Sequence, residues 1–229
     1  GSGAAAQALR QLITQAPSGH VMQQAHAALV SRSISADTVL RGALGGTPAL
    51  TTAFPVTGLG GQLSMVAKMI AARDTLQSKR QVFLVSIGGF DSHDNLLVDH
   101  PALLTQVADA MAAFYQATVE LGVASQVTSF TASDFGRTLA SNGDGSDHGW
   151  GSYHFAMGGA VQGKRFFGTP PLPGDDGPDD VGQGRMLPTM AVDQLASTLA
   201  TWMGVSGTDL GTVVPAIGNY GVRDLGLFG

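Results

Sequence analysis

Asp91 and His93 stand two residues apart in Gly88-Gly89-Phe90-Asp91-Ser92-His93. On an extended backbone, residues so spaced leave the same face. A second acid, Asp134, comes just past Val127-Thr128-Ser129-Phe130-Thr131-Ala132, a likely strand, and Asp147-His148 opens the glycine-flanked stretch Asp-His-Gly-Trp-Gly. Asp91, His93, Asp134 and His148 thus offer two carboxylates and two imidazoles. Carboxylates and imidazoles are the ligands by which hydrolases hold divalent cations while keeping a coordination position open. The expected cofactor is a divalent metal, with zinc placed ahead of calcium, magnesium or manganese. Arg137 is the cation nearest these acids in sequence, and its planar fork matches the oxygens of phosphate or sulfate. It is therefore the candidate catalytic residue.

Each of these residues also has an ordinary reading. An Asp after a strand often accepts backbone N–H bonds as a turn former or helix cap. His148 can be a structural residue of a constrained glycine loop, and Arg137 can simply neutralise Asp134 or Asp147. Ser92, Ser133 and Thr138 bring hydroxyls near the acids, but nothing marks one of them as activated. His20 and His26 have no second ligand at helical spacing and read as plain helix or loop residues, and His100 and His154 as core or surface ones.

The elements that must position these groups follow from periodicity. Residues 4–16 and 21–31 read as helices separated by Pro17-Ser18-Gly19. Residues 42–55 read as a loop. Leu63, Val66, Ala67 and Ile70 give 60–73 one buried stripe. Residues 81–87 form an uninterrupted apolar run too short for a helix, which suits a strand covered on both faces. A long helix over 101–121 stops at Gly122, and 127–131 reads as the next strand. Residues 141–146 are turn-rich, 153–161 alternate toward another apolar segment, and 170–184 form an exposed Pro- and Asp-rich loop or flap. A last helix covers 193–203, with Leu195, Leu199 and Trp202 inside, before an irregular tail. Helix, strand, long helix, strand is the order of parallel βαβ units. The expected fold class is therefore α/β, a mostly parallel sheet flanked by helices, with residues past its strand ends forming the site. The expected division is an N-terminal helical segment and loop over 1–50, then an α/β domain over 51–229.

Composition narrows the partners. The chain has 229 residues, 12 Lys+Arg against 17 Asp+Glu, and a net charge of -5. It has no basic cluster, which argues against nucleic acid. No stretch has the apolar length of a membrane span. Cysteine is absent, which excludes thiolate chemistry and leaves the compartment open. Gly1-Ser2-Gly3 reads as an expression scar that can have replaced a natural leader.

Taken together, Gly-Gly-Phe-Asp-Ser-His (88–93), Ser-Asp-Phe-Gly-Arg-Thr (133–138), Asp-His-Gly-Trp-Gly (147–151) and Met-Gly-Gly-Ala-Val-Gln-Gly (157–163) resemble one bacterial family. It is the sulfatase-like domain of unknown function 1501. Pro-Thr-Met-Ala-Val-Asp-Gln-Leu-Ala (188–196) and Trp-Met-Gly-Val (202–205) fit it too. The family is similar to the alkaline phosphatase superfamily, whose members act on phosphate and sulfate esters at two metals. The resemblance implies a sulfatase-like fold, present here as its back half. It also implies export by the twin-arginine route to the periplasm or exterior. Asp91 and His93 would bind one metal with His148 as third ligand, and Asp134 would bind the second. The superfamily places a His after that second acid, whereas this chain has Phe135.

The function so implied is a metal-dependent hydrolase of phosphate or sulfate esters, acting on a small or polymeric anionic ester. The alternative is a non-catalytic exported binding or assembly protein that keeps the fold. Its partner would be the missing N-terminal half or another polypeptide, which an uncovered sheet edge would invite.

Overall fold

A computed structural model describes residues 3–15, 19–174 and 176–229. The expected N-terminal scar and the Pro17-Ser18 break lie outside the described residues, apart from Gly3. The elements are α1 (Ala4–Thr14), α2 (Val21–Gly45), α3 (Gly58–Ala71), α4 (Leu96–Glu120), β1 (Thr128–Phe130), β2 (Gly136–Ser141), β3 (Ser146–Gly149), β4 (Ala156–Gly158), α5 (Val192–Trp202) and α6 (Leu210–Val213). Contacts divide the chain into two units, Gly1–Ala49 with Lys68–Gln81 and Leu50–Ala67 with Val82–Gly229. In the first unit α1 packs on α2. No described helix is long and apolar enough to cross a membrane.

The expected mostly parallel sheet is overturned. Among the described residues there are two small sheets, each of two antiparallel strands: β1 with β4, and β2 with β3. An alkaline phosphatase-like fold is therefore not what this chain shows. The apolar run 82–87 forms no strand with any of the described residues. Its backbone partner is a side chain, since Ser86 N–H donates to Gln62 Oε1 at 3.0 Å and Gln62 Nε2 donates to the Ser86 carbonyl at 2.9 Å. Val82 and Leu84 face outward, at 86% and 96% exposure. Hydrophobicity makes a segment fit to be a central strand, but sheet membership needs a neighbour whose backbone lies alongside. Here β1 takes β4 as that neighbour, in the register Thr128↔Gly158, Ser129↔Met157 and Phe130↔Ala156.

The helices follow the periodic positions more closely. Ala110, Phe114 and Ala117 form the buried line of α4. This helix begins five residues before Pro101, because the 141–146 turn caps it. Asp144 accepts the Asn95 N–H through its carboxylate at 3.2 Å and the Leu96 N–H through its carbonyl at 3.0 Å. Two donors that the first turn leaves unpaired are thereby satisfied.

The inner face of α5 differs from the expected Leu195, Leu199 and Trp202. Gln194, Ser197 and Thr198 are buried instead. Residues 220–227 run over this face without regular structure, so their backbone groups require side-chain partners. Gln194 Nε2 donates to the Val222 carbonyl at 2.8 Å, and the Leu225 N–H donates to Thr198 Oγ1 at 2.9 Å. Beside it, Leu210, Val214 and Ile217 form a small apolar core with Ala196, Ala200, Val205 and Tyr220.

Candidate metal centre

The β2–β3 hairpin builds one wall of the site. Its register sets Arg137 opposite His148, so the two side chains share a face of the sheet. The loop carrying Asp91 and His93 lies along β3, with the Ser146 N–H donating to the Ser92 carbonyl at 3.4 Å. Gly145 makes this approach possible, because a Cβ there would overlap the carbonyl group of His93.

Three side-chain nitrogens approach one atom, Asp91 Oδ1. His148 Nε2 lies 2.6 Å away, His93 Nε2 3.0 Å and Arg137 Nη1 3.3 Å. The hydrogen bond to His148, helped by the charges of His148 and His93 and by Arg137, holds the Asp91 carboxyl below its ordinary range, against a smaller opposing effect of desolvation. Asp91, His93 and His148 each offer a ligand atom within 4.8 Å of the others. Ligands about 2.0–2.1 Å from a tetrahedral zinc stand roughly 3.3 Å apart. Asp91 Oδ1 stands 2.6 and 3.0 Å from the two Nε2 atoms, close to that spacing, and two imidazoles with one carboxylate leave a fourth position open. The donors fit a divalent cation. All three side chains reach solvent.

The imidazoles are held by their faces as well. Phe135 stacks on His148 with centroids 4.1 Å apart and planes within 4°, and His93 lies 5.1 Å from the same ring. The residue that replaces an expected ligand is therefore the support of another. Asp134, the fourth expected ligand, is exposed and is not one of the residues whose ligand atoms come together.

Arg137 meets Asp91 and not the two acids its neutralising role suggested. Its Nε donates to Ser146 Oγ at 3.1 Å, and its Nη2 donates to the carbonyls of Ser92, at 2.6 Å, and Ser146. It clamps the Asp91 loop to β3 while keeping its charge beside the donor cluster. The nearby hydroxyls are occupied. Ser92 donates to the Gly89 carbonyl, Ser133 to the Phe135 carbonyl and Thr138 to the Ala140 carbonyl.

Sequence reasoning did not assign Asp147, Ser146 or Phe135 to the site. Asp147 Oδ1 lies 3.3 Å from His93 Nδ1 and accepts from Asn142 Nδ2 at 3.1 Å. The signal available was its position beside His148. The hairpin that carries it has a register shift between Arg137 and Ser141, which has no local sequence mark.

The class this site defines is a protein with an exposed carboxylate and two imidazoles, fit for one divalent cation. The chain belongs to the family described as protein of unknown function (DUF1501), whose model matches residues 3–214. No curated protein and no solved structure matches it.

Proposed function

We propose that the protein is a metal-dependent hydrolase of phosphate or sulfate esters, with one divalent cation held by Asp91, His93 and His148. The observation that carries this reading is the convergence of those three ligand atoms at a solvent-open rim. A bound cation would supply Lewis acidity toward an ester oxygen and a lowered pKa for attacking water.

The chain's own residues supply the remainder. Asp91 brings both imidazole nitrogens to one point, and Phe135 fixes the plane of His148. Arg137 spends one Nη1 N–H on Asp91, and its fixed positive charge favours the extra negative charge that builds on a phosphoryl or sulfuryl group in the transition state. Because Ser92, Ser133 and Thr138 are committed to backbone carbonyls, the reading assigns the attack to water rather than to a protein hydroxyl. Asp134 is left outside it, so the centre proposed is mononuclear.

The test is metal analysis of the purified protein followed by turnover of aryl phosphate and aryl sulfate with zinc or manganese. Asp91→Ala and His148→Ala should abolish both metal uptake and turnover while leaving the circular dichroism spectrum unchanged. Turnover that persists in both variants rejects the reading. Stoichiometric metal without turnover instead favours the binding or assembly role, with the cation as a structural element.

A further inference from the structure

We propose that Asp147 is the positioning residue of this centre, holding His93 so that Nε2 and not Nδ1 faces the cation. The proposal rests on the reading of Asp91, His93 and His148 as metal ligands, and it concerns how one of those ligands is aimed. The two nitrogens of His93 meet different acids. Nε2 lies 3.0 Å from Asp91 Oδ1, on the side of His148, and Nδ1 lies 3.3 Å from Asp147 Oδ1.

A neutral imidazole that gives one nitrogen to a metal carries its proton on the other. That N–H needs an acceptor, and a carboxylate in this place fixes the tautomer, the ring orientation and the basicity of the ligand. Asp147 has the means to stay in place. Its N–H donates to Thr138 Oγ1 at 3.1 Å, and Asn142 Nδ2 donates at 3.1 Å to the same Oδ1 that faces His93. Neither contact uses a residue of the donor cluster, so Asp147 is anchored from the β2 side and from the turn. His148 is oriented by another means, its stack with Phe135. The two imidazoles are thus aimed by different devices, a carboxylate for one and a ring for the other.

The experiment measures zinc affinity of the full chain by competition with a chromophoric chelator, for the unchanged protein and for Asp147→Asn, Asp147→Leu and Asp91→Ala. Removing a partner of this kind typically weakens metal binding about 10–100-fold, and Asp147→Leu is expected to do so. Asp147→Asn keeps an acceptor oxygen and should recover part of the loss. In the zinc-loaded protein, the His93 Nδ1–H proton resonance should be sharp and slow to exchange, and it should broaden in Asp147→Leu. The zinc-free melting temperature should not move, because the Asp147 side chain is 57% exposed.

Zinc affinity and a His93 resonance unchanged in Asp147→Leu overturn the proposal, and so does an affinity loss matched by a fall in zinc-free stability. Zinc binding that Asp91→Ala leaves intact overturns the metal reading itself, and this proposal with it. Zinc binding without ester turnover rejects only the hydrolase.

Discussion

His148 shows how much of a ligand's worth lies in what holds it. One edge of its ring points Nε2 at Asp91, and one face lies on Phe135 at 4.1 Å. Phe135→Ala removes the stack without touching a ligand atom, so His148 gains ring freedom that metal binding must then take away. We expect zinc to bind more weakly by roughly tenfold, the lower end for loss of an orienting partner, with an unchanged count of one zinc per chain. Chelator competition measures it, and affinity equal to that of the parent would show that β3 alone aims the ring. Asp91, His93 and His148 were legible in the sequence, because two-residue spacing and a glycine-flanked His are local marks. Phe135 was legible only as a missing ligand. That a ring in this place supports rather than coordinates depends on the pairing of β2 with β3, which no single stretch records.

At the scale of elements, the β2–β3 hairpin and the Asp91 loop must touch backbone to backbone for the site to exist. Gly145 is the point of contact, and Gly145→Ala would drive a methyl into the His93 carbonyl. Overpacking of this kind costs about 1–3 kcal/mol, and relief can come only from moving the loop that bears two ligands. A lowered melting temperature together with lost zinc binding is expected, and full zinc binding at parental stability would refute the close approach. The C-terminal cluster makes a control far from this chemistry. Ile217 is 2% exposed among Leu210 and Val214, and Ile217→Ala should cost about 2–5 kcal/mol in denaturant unfolding with zinc affinity unaltered. The helices were legible because a 3.6-residue apolar period is written along one segment. The polar inner face of α5 was not, since Gln194 and Thr198 are buried only because the tail's backbone comes to meet them.

At the scale of the whole molecule, long-range links and their absences decide what the chain tolerates. Glu120, at the end of α4, ties back to residues nearly seventy positions earlier. It accepts the Thr51 N–H at 2.6 Å, and the Thr52 N–H and hydroxyl at 2.9 and 2.7 Å. These bonds, the Thr51 N–H first, lower its carboxyl to about 2. A carboxylate depressed from the ordinary glutamate value of about 4.3 contributes stability above that value and loses it as pH falls toward the folded one. The melting-temperature gap between the parent and Glu120→Gln should therefore be open at neutral pH and close between pH 4 and pH 2. A gap that persists below pH 2 would assign it to packing rather than to the charge.

The run 82–87 poses the opposite case, a segment whose sequence promises burial that the molecule does not give. If it were the central strand its composition suggested, Leu84 would sit against helices on both faces. A charge there would then cost several kcal/mol, as burial of an unpaired ion does. In the structure Leu84 is 96% exposed, and the Ser86 backbone is paired with the Gln62 side chain. Leu84→Lys should accordingly change unfolding free energy by no more than about 0.5 kcal/mol. Val85→Lys, on the half-buried side of the same run, should cost clearly more. The contrast follows from where the two side chains stand, Leu84 in solvent and Val85 half-buried. Light scattering adds a second reading of the same pair. An exposed apolar segment outside the sheets invites strand pairing, so Leu84→Lys should reduce concentration-dependent association while leaving the fold intact. Equal and large destabilisation by both substitutions would mean that 82–87 is covered on both faces in solution.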